Sequence, residues 1–333
     1  MAPKVTMLMG VYNGERTIRE AIDSVLEQTY KDFELLIIND GSKDKSVEII
    51  ESIKDPRIRL VHNEKNMNLV PTFNRGLELA QGEYIARMDA DDKCVPERLE
   101  KQVSFMDTHP GIGICGSWIK YFEGADAIVK LPENHDEIMC RLFFSNVIAH
   151  PTVIMRKKVL KENNLKYEMN LAEDYDLWQR ASFKTKLHNI QEVLLNYRIS
   201  KESYSQLNSP KVSPVINEMI KRNLKPLKIE ADEELSQLHK DIGNSVVMET
   251  KEKAQKAMNH LKALYNSNKK INIYPNRMFN VVLSGFIFDV LDRSPFSKKE
   301  KLISLWSSPL VWVDIKRSMK YTLRILKNTF LKR

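Results

Sequence analysis

Apolar positions in the first hundred residues fall into short runs separated by amphipathic stretches. Val5-Thr6-Met7-Leu8-Met9 is such a run, closed by Gly10 and then by Val11-Tyr12-Asn13-Gly14-Glu15, and predicts a first buried strand. Ile18, Ile22 and Val25 follow at helical spacing, so a helix is expected over about residues 15 to 28, with Asn13 as its cap and Glu15 in its first turn. Phe33-Glu34-Leu35-Leu36-Ile37-Ile38 is apolar enough to be a strand covered on both faces. It ends in Asn39-Asp40-Gly41-Ser42, a turn that delivers a carboxylate to the strand's C-terminal edge. Val47, Ile50 and Ile53 mark another helix, Ile58 to Val61 a strand, Leu69 to Ala80 a helix and Tyr84 to Met88 a strand. After Pro96, Leu99, Val103 and Met106 continue as a helix, and Ile112 to Gly116 begins a further strand. This alternation is the signature of an α/β sheet with parallel strands, which binds ligands outside the carboxyl ends of its strands.

On that rule Tyr12, Asp40 and the run Asp89-Ala90-Asp91-Asp92 gather on one edge. Three carboxylates within four residues repel one another unless a cation sits among them, and such oxygens suit a hard divalent ion. The plainer account is a solvated acidic turn with Asp92 or a neighbour capping the helix near Pro96. A ring, a carboxylate and a metal site together would fit a nucleoside diphosphate, with its base against Tyr12 and Asp40. No Gly-x-x-x-x-Gly-Lys-[Ser/Thr] or Gly-x-Gly-x-x-Gly run competes for that ligand. Farther on, His150 precedes Pro151 at an expected strand start, either as a satisfied structural histidine or as part of the site. Glu173-Asp174-Tyr175-Asp176-Leu177-Trp178 opens a helix, where acids either answer the helix dipole or supply a general base.

Five motifs then stand in order: Val11-Tyr12-Asn13, Asn39-Asp40-Gly41-Ser42, Asp89-Ala90-Asp91-Asp92, His150-Pro151-Thr152 and Glu173 to Trp178. Over about residues 3 to 205 the chain resembles family 2 glycosyltransferases. The resemblance implies the GT-A fold, a Rossmann-like, mostly parallel mixed α/β sheet flanked by helices, with a helical C-terminal extension. It implies an inverting transfer from a nucleotide sugar, most simply UDP-linked, to a glycan or lipid-linked acceptor in surface polysaccharide or lipopolysaccharide synthesis. It places Val11, Tyr12, Asn13, Glu15, Asp40, Arg75, Asp89 and Ala90 on the nucleotide sugar and Asp91 on Mn2+ or Mg2+. Asp174 becomes the catalytic base with Glu173 beside it, and His150, Trp178 and Arg198 become acceptor or diphosphate contacts. A base and a metal suffice for a single displacement, with no protein nucleophile. The chain departs from the pattern at Gly10, where many members have Pro, and at Ser200, where many have His in Tyr-Arg-x-His; Arg198, Lys201 or Tyr204 would have to substitute.

A catalytic domain is thus expected over 1–205, its donor half reaching about residue 115 and its acceptor half spanning 116–205, followed by a helical, basic region over 206–333. Composition sharpens this division. The net charge is +8, yet residues 251–333 hold 18 Lys and Arg against 5 Asp and Glu, a net +13 that leaves −5 for residues 1–250. The apolar runs Phe279 to Val290 and Leu302 to Val313 are shorter than the roughly 20 residues a spanning helix needs. Ile315, Met319, Leu323, Leu326 and Phe330 share one helical face, with Lys316, Arg317, Lys320, Arg324 and Lys327 largely elsewhere. That pattern suits a helix lying on an anionic membrane, or else a bundle helix with a solvated basic face. No nucleic-acid module accompanies the charge. Three dispersed cysteines and a start without a targeting signal predict reduced thiols in a cytoplasmic enzyme, peripheral on the inner face of the membrane.

Overall fold

The computed structural model describes residues 2–199 and 204–330 of the chain, with side chains over 2–199 and 211–326. The chain packs as two compact units, Met1–Ile138 with Asn146–Val212, and Met139–Ser145 with Ser213–Arg333. In the first, the alternating pattern becomes β1 (Val5–Val11), α1 (Ile18–Leu26), β2 (Phe33–Asn39), α2 (Ser46–Ser52), β3 (Ile58–His62), α3 (Leu69–Leu79) and β4 (Tyr84–Asp89). These are followed by β5 (Lys93–Cys94), α4 (Arg98–Thr108), β6 (Ile112–Phe122), β7 (Ile128–Val129) and α5 (His135–Leu142). A 3-10 turn (His150–Thr152), β8 (Ile154–Arg156), α6 (Lys157–Glu162), α7 (Glu173–Ser182) and β9 (Lys186–Arg198) complete it.

The strands form one mixed sheet in the order β3-β2-β1-β4-β8-β6-β9-β5, with β7 paired to β6. The first four run parallel, whereas β8 runs antiparallel to both β4 and β6. Alternation along β1 sends Val5, Met7 and Met9 into a core shared with Ile18 and Ile22 of α1 and Leu99 of α4. Leu8 faces the other way toward α3. There Gly76 permits close approach, since a Cβ at that position would meet Leu8 Cδ1 at 2.3 Å.

Several boundaries differ from the sequence pattern. The first helix starts at Ile18, because Asn13 adopts the left-handed region (φ 52°) and turns the chain instead of capping it. The helix after Pro96 begins only at Arg98, and no side chain caps it, so Asp92 does not serve that end. His150 opens the 3-10 turn, with the strand beginning at Ile154. All three cysteines are buried thiols outside any disulfide.

The second unit is helical: α8 (Tyr204–Leu224), whose C-terminal part belongs here, a 3-10 turn (Lys225–Leu227), α9 (Glu233–Gly243), α10 (Lys251–Ile271) and α11 (Asn276–Asp292). It ends in α12 (Lys298–Trp306), a 3-10 turn (Pro309–Trp312) and α13 (Ile315–Phe330). Its core joins Phe143, Leu224, Leu261, Phe279, Leu283 and Leu305. The apolar run Phe279 to Val290 is interior to α11, and Ser307 to Pro309 breaks the second run before it could form one long helix. Among the described residues, no helix is long and apolar enough to cross a membrane.

Candidate active site

Gly10 of β1 lies opposite Asp89 of β4, and Val11 opposite Asn39 of β2, so three strands release their loops at one edge. Two of those loops are stitched together. The Asn13 side-chain oxygen accepts the Lys43 N–H at 2.8 Å, and the Gly14 N–H donates to Ser46 Oγ at 2.8 Å. Glu15 both donates its N–H to Asp44 and accepts the Lys45 N–H through its carboxylate. With Val11 buried beneath, the loop holds the Tyr12 ring 50% exposed over a cleft of about 1180 Å³. The cleft lies wholly in the first unit.

Asp89, Ala90 and Asp91 line this cleft, as do His150, Glu173, Asp174 and Arg198. The Ala90 carbonyl accepts from Thr17 Oγ1 at 2.9 Å, which ties the acidic loop to the start of α1. Asp89, Asp91 and Asp92 each present a carboxylate oxygen, all within 4.8 Å of one another. Asp92 is buried; its Oδ1 accepts the Arg198 N–H at 2.9 Å, and its Oδ2 has no partner. Hard oxygens at that separation, one of them buried and unpaired, fit a divalent cation such as Mn2+ or Mg2+. The N-terminus of α7 lines the same cleft, with Asp174 accepting from Asn146 Nδ2 at 2.8 Å and from the Tyr175 N–H at 2.7 Å. Leu171, just before that helix and lining the cleft, is held at φ 71°, an uncommon conformation for a leucine.

Four expected contacts are placed differently. Trp178 is fully buried with its ring edge toward His150, a core residue rather than an acceptor contact. Asp40 and Arg75 are absent from the cleft lining and are joined through Asn63: Asp40 accepts from Asn63 Nδ2 and from the Met67 N–H, while Arg75 donates to Asn63 Oδ1 and the His62 carbonyl. Arg198 spends its donors on the protein. It bonds the Asp91 carbonyl through Nε at 2.7 Å and pairs with Glu20 and Glu123, so it braces the acidic loop. Ser200 and Lys201 lie outside the described residues, as does the side chain of Tyr204.

The glycosyl transferase family 2 model matches residues 6–163. An uncharacterized glycosyltransferase, MJ1057 of Methanocaldococcus jannaschii, is 36% identical over 208 residues, covering 59% of this chain and 71% of that protein. The chain belongs to glycosyl transferase family 2. The O-antigen biosynthesis glycosyltransferase WbnJ of Escherichia coli is 35% identical over 210 residues, covering 60% of this chain and 81% of the relative. Among solved structures, S. aureus TarS 1-349 in complex with UDP-GlcNAc superposes with a TM-score of 0.58 at 17% identity, over 99% of this chain and 92% of that one. The mannosyltransferase PcManGT of Pyrobaculum calidifontis, in complex with GDP-Man and Mn2+, gives 0.54 at 13% identity, over 95% and 87%. These two likenesses speak to the GT-A fold.

Within this glycosyltransferase the cleft is electrostatically tense. Burial, and then the Asp89 charge, push Asp91 up to about 6; the same causes, with Asp91 added, raise Asp92 well above the carboxylate range. Burial and then Asp174 push Glu173 up to about 7, and burial raises Asp174 against the pull of its Tyr175 N–H bond. The residue between these clusters is Arg87, which had no assigned role in the motif. It is buried, pairs with Asp89, stacks 4.9 Å over the Phe73 ring and leaves Nε and Nη1 without partners. A charged residue at an inward position of a buried strand was its visible signal. His150 is a satisfied histidine, bonded through Nε2 to Tyr167 Oη at 2.8 Å, and burial followed by the nearby Arg87 charge holds it neutral.

Proposed function

We propose that this glycosyltransferase works by inversion, moving a sugar from a UDP-linked donor to a hydroxyl of a glycan or lipid-linked acceptor in surface polysaccharide synthesis. The observation that carries the reading is one cleft lined both by Asp89 and Asp91 of the three-carboxylate cluster and by Asp174. Tyr12 would take the base, with Asp40 and Arg75 behind it, and Asp89 and Ala90 the ribose. Asp91 would hold Mn2+ or Mg2+ with Asp92 and Asp89 as further oxygens; when bound, that ion supplies positive charge for the departing diphosphate. Asp174, oriented by Asn146, would take the acceptor hydroxyl's proton, and Glu173 would bind the acceptor beside it. The UDP-GlcNAc in TarS and the GDP-Man and Mn2+ in PcManGT support a nucleotide-sugar donor and a metal. The O-antigen role in the name of WbnJ supports a surface glycan as product. The enzyme would act in the cytoplasm, on the inner face of the cell membrane.

Calorimetry with UDP, GDP, dTDP and CDP, each with Mn2+ and with EDTA, tests the donor site. One diphosphate should bind only with metal and fail to bind Asp91→Ala; absence of any binding would remove the donor reading. Asp174→Asn should bind that diphosphate normally while transfer falls by at least about a hundredfold, the worth of a positioned base.

A further inference from the structure

The last three elements of the second unit leave an apolar face uncovered. α13 presents three different faces. Ser318, Tyr321 and Ile325 are buried, with Ser318 Oγ donating to the Val311 carbonyl at 2.9 Å and the Tyr321 ring 5.4 Å from Phe288. Met319, Leu323 and Leu326, spaced at four and three residues, lie on another face and are 55%, 54% and 42% exposed. Lys316 and Lys320 stand on the third, exposed to solvent. A bundle helix with a solvated polar side would not leave that middle stripe bare.

The stripe continues beyond the helix. Trp306 of α12 donates its indole N–H to Thr322 Oγ1 at 3.1 Å, which sets the ring against the flank of α13 beside Met319 and Leu326. Trp312 stands edge-on to it at 6.0 Å and is 69% exposed. Ile303, one turn before Trp306, is also exposed. We infer that α12, the 3-10 turn and α13 form the face by which this protein lies on an anionic lipid surface.

Charge and residue type select that occupant. No acid occurs from Ile315 to the end of the chain, so on α13 itself the charged residues beside the stripe are all cations, of which Arg324 is paired with Asp292. A second copy meeting the same face about a two-fold axis would bring the two basic rows together. Anionic headgroups attract those rows, and indole rings favour the boundary between headgroups and acyl chains. With no spanning helix among the described residues, the arrangement fits a surface that sits in the interface plane. Docking would serve catalysis where the acceptor is lipid-linked, and in that purpose it rests on the function proposed above. The side chains of Lys327 and Phe330, which the sequence pattern adds to this helix, lie outside the described residues.

Flotation of the full chain with phosphatidylcholine vesicles, with and without phosphatidylglycerol, tests the face. Wild type should float only with the anionic vesicles and be released by salt. Lys316→Glu with Lys320→Glu should weaken binding roughly tenfold or more, and Trp312→Glu with Leu323→Glu should abolish it. Each variant should keep its melting temperature and its diphosphate binding. Flotation unchanged in both double variants, or absent in wild type, would overturn the assignment. So would a wild-type dimer in light scattering that the Trp312 and Leu323 changes dissolve, since a second copy would then be the occupant. Loss of nucleotide binding with flotation intact would instead count against the donor reading alone.

Discussion

At the scale of single residues, Arg87 does most to make the cleft tenable. Six carboxylates line it, those of Glu15, Asp44, Asp89, Asp91, Glu173 and Asp174, and Arg87 is a buried cation paired with one of them, Asp89. Arg87→Met would keep the packing on Phe73 while leaving Asp89, whose side chain is 32% exposed, without its partner, a loss below the roughly 3–5 kcal/mol of a fully buried pair broken on one side. In EDTA the variant should melt well below wild type, and Mn2+ should recover part of the difference by replacing the lost charge. An unshifted melting temperature would show that Arg87 is not the counter-charge. The two acids proposed for catalysis give a second expectation. With Glu173 pushed up to about 7 and Asp174 raised beside it, protons return to the pair as pH falls. A protonated base cannot accept the hydroxyl's proton, so kcat/KM should decline on the acid side as Asp174, raised by burial, takes up its proton. A profile flat from pH 5.5 to pH 8.5 would remove this pair from the rate-limiting chemistry.

At the scale of elements, the loop after β4 owes its shape to the far end of β9. Arg198 reaches Asp92 and Asp91 through main-chain and side-chain donors and is held by Glu20 and Glu123. Arg198→Ala should therefore weaken Mn2+ binding by roughly tenfold or more, the usual effect of removing a group that orients a ligand. Its effect on melting should be small, because both glutamates are more than half exposed. Equal metal affinity in variant and wild type would leave Arg198 free for the diphosphate after all. This brace was not legible from sequence, since it joins residues 107 positions apart. What was legible was local: period-two and period-3.6 patterns located the strands and helices of the parallel half, and the rule for strand ends gathered Tyr12, Asp89 and Asp91. Trp178 misled because a motif gives proximity along the chain, whereas helical phase turned its ring into the core. Met319, Leu323 and Leu326 do share an exposed helical face, as their spacing implied, but only packing distinguished that face from the adjacent one carrying Ser318, Tyr321 and Ile325.

At the scale of the whole molecule, the two units should answer pH in opposite directions. In the second unit His239 Nδ1 and His260 Nε2 share a hydrogen bond of 2.9 Å, and His239 Nε2 meets the Phe143 carbonyl at 2.9 Å. Burial lowers these imidazoles to about 4 and about 3, with the Phe143 bond opposing the shift at His239 and the His239 charge adding to it at His260. The unfolded chain takes up protons near the ordinary value of about 6.5, while the fold refuses them until near 4. Their contribution is therefore complete above pH 6.5 and is lost as pH falls toward 4, a change on the order of 3 kcal/mol for each histidine. In the first unit Asp91 and Glu173 have folded values raised to about 6 and about 7. At these acids the fold holds more protons than the unfolded chain above about pH 4, so without metal their contribution falls as pH rises toward 7, opposed below about pH 6.5 by His150, which burial keeps neutral. Hydrogen exchange in EDTA at pH 4.5 and pH 7 separates the two. Peptides from residues 213–330 should be better protected at pH 7, and those bearing β1, β4 and α7 better protected at pH 4.5, once intrinsic rates are divided out. Parallel trends in both units would mean that neither the histidine pair nor the acidic cluster governs local stability, and added Mn2+ should abolish the trend in the first unit alone.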